Sequence, residues 1–205
     1  MKLSGVTFRG PALIDTPLFG ELPPEYATTL RETNGFVAFD GGFHLRGICE
    51  EPRWHSLLAA WRGEGALHRL FPVLDESDVP FAQDCMGDQF VLRDSIVHRL
   101  AGETGTLESM SLSWSQFFAG LLADPFEFLQ LHPLVQFHRG GGQLRPGQLL
   151  SAYPPFVTKE SADGVSLTAV SADERIDFLS DFARQLADVA EGEQVRIVVS
   201  DDRHT

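Results

Sequence analysis

Residues 79–129, VPFAQDCMGDQFVLRDSIVHRLAGETGTLESMSLSWSQFFAGLLADPFEFL, decide the fold. Their apolar runs are short and are broken by turn-forming groups at Asp84 to Gly87, Arg93 to Ser95 and Gly102 to Gly105. That spacing, roughly 8–12 residues, is typical of successive antiparallel strands joined by tight turns, so the stretch predicts a meander. Ser113 can then cap a helix in which Trp114, Phe117, Phe118, Leu121 and Leu122 form a dense apolar stripe, expected to face the sheet. Asp124-Pro125 interrupts that helix before FEFLQL, because the residue before proline is driven out of the helical region.

Upstream of the meander, residues 1–20 carry Gly5, Gly10, Pro11, Pro17 and Gly20, too much punctuation for a long helix, and predict short extended pieces. The segment LPPEYATTLRETNG, residues 22–35, reads as the first helix: Pro23 and Pro24 suit its start, Glu25 favours the positive end, and Asn34-Gly35 stops it. FVAFDGGFHLRG, residues 36–47, places Phe36, Phe39, Phe43 and Leu45 around a Gly41-Gly42 turn and predicts a strand and turn. PRWHSLLAAWR, residues 52–62, spaces Trp54, Leu57, Leu58 and Trp61 as one helix.

Downstream, residues 131–161 are rich in Gly and Pro and predict irregular connections with short strands. Ser171 and Glu174 have the spacing of a capping box and open a helix whose Ile176, Leu179, Phe182, Leu186 and Val189 share a face, ended by Glu191-Gly192-Glu193. Val195, Ile197 and Val199 predict a closing strand. The expected architecture is α+β, a mainly antiparallel sheet with helices packed on it, plus a C-terminal helix and strand elaboration. At 205 residues one domain is preferred, with a core over 1–130 and an extension over 131–205 packed on it.

Hydrophobic residues at 43% and charged residues at 22% place the chain with globular proteins and not with disordered ones. The formal net charge of −13, with Lys2 and Lys159 the only lysines and the arginines scattered singly, disfavours direct nucleic-acid binding and suits a basic partner. Cys49 and Cys85 are single and far apart, which argues against a disulfide framework and for a reduced, cytoplasmic setting. The N-terminus lacks an apolar signal region and no stretch nears the roughly 20 apolar residues of a spanning helix, so no membrane association is expected.

No local pattern carries catalysis. His44, His55, His68, His98, His132, His138 and His204 never take the spacing that puts two imidazoles on one helical face, and no metal or other cofactor is expected. His138-Arg139-Gly140-Gly141-Gly142 superficially resembles an esterase oxyanion loop but has no GxSxG companion. Asp84 and Asp88 bracket Cys85-Met86-Gly87, where a structural role, Asp capping a turn with Gly87 left-handed, competes with cation binding or acid–base work.

Taken together, LPPEYATTLRETNG, FVAFDGGFHLRG and the quoted block resemble the SUKH superfamily, which includes the Smi/Knr cell-wall-assembly regulators. The resemblance covers residues 20–130 in the order and spacing of dispersed motifs, and departs after the first helix, where Phe36, Phe39 and Phe43 replace a more Trp- and Gly-rich pattern. It implies helices packed on a sheet and a non-enzymatic role. Bacterial members look like immunity proteins that neutralise toxins, often nucleases, by binding them; fungal relatives look like signalling scaffolds. The expected function is therefore an intracellular protein that binds a basic toxin through aromatic anchors and an acidic rim formed by Asp75, Glu76, Asp78, Asp84 and Asp88. The alternatives are a regulatory scaffold and a hydrolase whose site converges from distant residues, such as His132, His138 and a carboxylate.

Overall fold

In the computed structural model, which describes residues 3–14, 16–187 and 189, seven strands pair antiparallel in chain order. The elements are β1 (Phe8–Arg9), α1 (Pro24–Thr33), β2 (Phe36–Ala38), β3 (Phe43–Leu45), α2 (Leu57–Arg62), α3 (Leu67–Leu70), β4 (Val79–Asp84), β5 (Gln89–Arg93), β6 (Ile96–Ala101), β7 (Thr106–Ser113), α4 (Trp114–Ala123), α5 (Pro125–Leu129), α6 (His132–Arg139), β8 (Gln148–Tyr153), β9 (Ser166–Ser171) and α7 (Ala172–Leu186). Strands β8 and β9 form a separate antiparallel pair. The predicted α+β architecture is present, and the three turn groups read in residues 79–112 join β4 to β5, β5 to β6 and β6 to β7.

Register sorts the sheet into two faces, because side chains alternate along each strand. Leu45 pairs with Ala82 and Ala82 with Phe90, while on the opposite face His44 pairs with Gln83 and Gln83 with Gln89. The first face carries the larger core: Phe36, Phe43, Phe81 and Phe90 against Tyr26 and Leu30 of α1 and Trp114, Phe117 and Leu121 of α4. The α4 stripe faces the sheet as its spacing predicts, and Ser113 completes a capping box with Gln116. The second face carries Val91 and Leu100 against Leu67, Phe71 and the Ile176, Leu179 and Ala183 side of α7. The chain beyond residue 130 enters both cores, through Leu131, Leu134 and Leu150 in the first and α7 in the second.

The packing of α7 explains two glycines. A Cβ on Gly87, whose φ is +96°, or on Gly102 would stand 2.7 Å from Leu179 Cδ1. Gly87 is thus fixed twice, by a left-handed backbone in the β4–β5 turn and by the leucine above it.

Three local readings change. Residues 52–62 are not one helix: a short 3-10 turn covers Arg53–His55, and Ser56 caps α2 by accepting from the Ala59 N–H. A continuous helix would carry His55 outward, whereas the turn delivers it, fully buried, beside His44, and leaves Leu58 47% exposed. The Gly- and Pro-rich stretch after 131 contains α6, where Pro133 sits in the first turn and lacks an N–H that would have no partner there anyway. It also contains the six-residue β8, a short strand of the kind expected there, which pairs with β9 beyond the stretch. Val189 lies past the end of α7 at Leu186, and the expected stop at 191–193 and strand at 195–199 lie outside the described residues.

Phe43 is fully buried, and four phenylalanine rings, Phe36, Phe90, Phe117 and Phe118, lie about it at centroid distances of 6.1 to 6.2 Å. Phe43→Ala is expected to cost about 3–5 kcal/mol in urea unfolding followed by circular dichroism. Leu58→Ala on the exposed face of α2 should stay within about 0.5 kcal/mol of the parent.

Candidate functional site

Strand β4 separates the five predicted acids into two groups, three before its first residue and two at and beyond its last. At its start Asp78, 3% exposed, accepts from Arg93 Nε at 2.8 Å and Nη2 at 2.6 Å, and also from the Asp75 N–H at 2.8 Å. Asp78 is thereby consumed in a two-pronged pair. Asp75 and Glu76 keep exposed side chains, and the Glu76 carbonyl accepts from Trp61 Nε1 and Arg62 Nη1.

At the other end Asp84 and Asp88 come together with Arg99. Asp84 Oδ1 accepts the N–H groups of Met86, Gly87 and Asp88 at 2.9, 3.0 and 3.1 Å, the turn-capping role open to that residue type. Asp84 Oδ2 lies 3.4 Å from Arg99 Nη2, which also meets Asp88 Oδ2 at 2.7 Å, while Asp88 Oδ1 accepts from the Gly102 N–H at 2.8 Å. One arginine therefore cross-links β6 to the β4–β5 turn, and Asp88 joins that turn to the β6–β7 turn.

Sequence reasoning missed what surrounds this pair. Arg175 of α7, 1% exposed, donates from Nε to the Met86 carbonyl at 3.1 Å and sets Nη2 3.6 Å from Glu103 Oε1. Glu103 Oε2 accepts the Val157 N–H at 3.0 Å, holding the segment that comes after β8 at the same place. Together with Glu127, Gln130 and His132 from the α5–α6 region and with Phe156, these groups line a cleft of about 590 Å³ at the end of the sheet. Phe156 and Val157 stand 42% and 46% exposed at its edge. Four carboxylates, those of Asp84, Asp88, Glu103 and Glu127, face two guanidinium groups there, those of Arg99 and Arg175. Only a tertiary convergence of α7, two turns and the 156–157 segment makes this cleft, so no local spacing announces it. His132 lines it; His138, at the other end of α6, does not.

A second polar assembly occupies the face of the sheet turned toward α7. His44 Nε2 and His55 Nδ1 are 2.9 Å apart, Gln83 Nε2 is 3.2 Å from His44 Nδ1, and His55 Nε2 is 2.9 Å from the Asn34 carbonyl. Arg46 completes it, donating to the carbonyls of Pro80 and Ala82 and to Oε1 of Gln83 and Gln89. Eleven residues separate the two histidines in the chain, so their contact is invisible to any helical spacing rule.

Burial and protonation oppose each other at the two sites. Burial, then the neighbouring Asp88, push the Asp84 carboxyl up to about 7, against the pull of Arg99 and the backbone N–H groups. Burial, then the nearby Arg46 charge, hold His55 down at about 4 despite its bond to the Asn34 carbonyl; His44 is likewise lowered by burial, His55 and Arg46. Both histidines are therefore neutral at physiological pH, while burial biases the Asp84 carboxyl toward its neutral form.

No protein-family model matches the chain, and no curated protein matches it. Among solved structures it is similar to the crystal structure of Atu4351 from Agrobacterium tumefaciens, with a TM-score of 0.51 and 13% identity over 85% of each chain. At that identity the likeness is one of fold.

The two shifts act on stability with opposite signs. The lowered His55 value makes the unfolded chain bind more protons between about pH 6.5 and 4, so its contribution is lost as pH falls through that window. The raised Asp84 value makes the folded chain bind more protons between about pH 3.8 and 7, so its contribution is lost as pH rises. Asp84→Asn removes the second effect and leaves the His55 effect in place. Denaturant titrations from pH 7 to 4 should show a steeper loss of stability on acidification in Asp84→Asn than in the parent; parallel curves would contradict the assignment.

Proposed function

We propose that this chain is a non-enzymatic binding protein of the immunity type, which neutralises a basic protein, a toxin such as a nuclease, inside the cytoplasm by covering its functional surface. The observation that carries this reading is the cleft at the end of the sheet, where carboxylates outnumber guanidinium groups and Phe156 and Val157 are exposed at the edge. Protein interfaces join apolar and aromatic anchors to a polar surround, and it is the anchors that supply most of the energy. The net charge of −13 steers a cationic partner toward the chain and rejects anionic ones. The resemblance of residues 20–130 to SUKH proteins supports the same reading. Asp84 and Asp88 lie within the proposed docking surface; Asp75, Glu76 and Asp78, at the far end of β4, lie outside it.

The test is co-purification of the tagged chain from its own organism's lysate at low and moderate salt, and then expression of the captured protein alone and together with the chain. The expected result is one stoichiometric basic protein that is toxic alone and harmless in co-expression. Glu127→Lys and Phe156→Ala, both at exposed or half-exposed positions, should weaken the complex by about tenfold or more and abolish rescue. Glu25→Lys, the same charge change on the exposed side of α1, should leave it intact. Absence of any such partner overturns the reading; a partner indifferent to the cleft variants overturns the docking surface.

A further inference from the structure

Arg46 is 4% exposed, and all four acceptors of its guanidinium, two backbone carbonyls and two glutamine oxygens, are neutral. Among the described residues no carboxylate pairs with it, in contrast to Arg93, Arg99 and Arg175, each of which has an acid partner. Burial lowers Arg46 only to about 10, so it keeps its charge at neutral pH. A buried cation is ordinarily matched by an anion, since removing it from water is costly and neutral dipoles return only part of that cost.

The charge does not end in packed protein. Arg46 and Gln83 line a cavity of about 290 Å³ between α2, α3 and the first turns of α7. Arg53, exposed to solvent, adds a second cation to the same lining. Leu67, Leu70 and Ile176 give it apolar walls, and Trp54 closes a further side. Asp173 and Asp177 of α7 also line the cavity, so an anion is accepted on the Arg46 and Arg53 side and repelled on the α7 side. The volume lies at the small end of ligand pockets, and the mixture of apolar wall and few polar groups is what such pockets show.

We propose that this cavity binds a small organic carboxylate with an apolar body, its carboxylate against Arg46 and Arg53 and its hydrocarbon against Leu67, Leu70 and Ile176. The guanidinium is already held by Gln83, Gln89 and two backbone carbonyls, so the ligand meets a fixed charge and little ordering is lost on binding. The carboxylate supplies the counter-ion that no described carboxylate provides, and the aliphatic part fills space that the described residues leave open. None of the residues lining this cavity lines the docking cleft, so the site goes beyond the binding role proposed above and neither depends on it nor shares its fate.

Isothermal titration of the full chain with 4-methylpentanoate, its neutral amide and inorganic phosphate tests the assignment, with the indole N–H resonance of Trp54 as a second readout. The acid should bind, shift that resonance, and bind about tenfold or more tightly than either the amide or phosphate. Arg53→Gln should weaken the acid and leave the amide unchanged. Ala60→Phe, at a half-buried cavity position of α2, should abolish binding by filling the space while circular dichroism reports an unchanged fold. Equal binding of acid and amide, or phosphate binding as tightly as the acid, overturns the proposal. So does no binding of the acid to the parent chain, which would leave Arg46 as a structural cation held by dipoles alone.

Discussion

The structure turns on one positive charge taken out of water. Arg46 comes directly after β3, and from that single position its carbonyl accepts the Tyr26 hydroxyl at 2.9 Å while its guanidinium reaches β4 and Gln89 of β5. Helix α1 on one face and three strands of the sheet are thereby fixed to one another by one residue. The irregularity in β4 is part of the same constraint. The register shifts between Pro80 and Ala82, so Phe81 is an extra residue that turns into the larger core, and the carbonyls of Pro80 and Ala82 are left to accept from Arg46. Proline, which has no N–H to give the ladder, is tolerated at such a bulge.

A fixed cation imposes a row of polar side chains on a buried surface. Gln83 and Gln89 must present oxygens to Arg46, which turns their amide nitrogens to His44 and to the Gly87 carbonyl. His44 and His55 must stay neutral beside it, and the chain at 53–55 tightens into a 3-10 turn to bring His55 into place. Gly47 belongs to the same arrangement: a Cβ there would stand 2.1 Å from the Asn34 carbonyl oxygen and 2.4 Å from His55 Nε2. Satisfied networks of this kind rigidify a fold, because each member left unpaired would be costly in a medium of low dielectric.

These dependencies mark where the sequence is legible. The meander, α4 and α7 are readable from apolar periodicity and turn chemistry, since Phe90, Phe117 and Leu179 are buried by their own spacing. The polar row is opaque, because Gln83, Gln89, His44 and Arg46 are residue types that ordinarily mark solvent-facing positions. Helix α6 hides behind Pro133 and a glycine run just past its end, and β8 acquires its meaning only from β9, which begins beyond a long connection. The acids are legible as a group but not as a site. Their proximity in sequence spans the length of β4, which sets Asp78 and Asp84 at its two ends, while Glu103 and Arg175 join Asp84 in the cleft from farther along the chain.

The cleft that results has a division of labour set by physics. Its carboxylates are largely engaged: Asp84 caps a turn, Asp88 pairs with Arg99, and Glu103 holds Val157. Such groups cannot each form a new strong bond to a partner without giving up an old one, so the surplus charge acts at a distance, within a Debye length of about 8 Å at physiological salt. In the proposed complex it would raise encounter rate and select sign. Lifetime of the proposed complex would have to come from surface that gains by leaving water, and among the described residues at this end of the sheet Phe156 and Val157 offer it. Because Glu103 anchors Val157 through its backbone N–H, the charged floor also positions the apolar edge. A substitution at Glu103 would therefore act on both steering and holding, whereas one at Phe156 acts on holding alone.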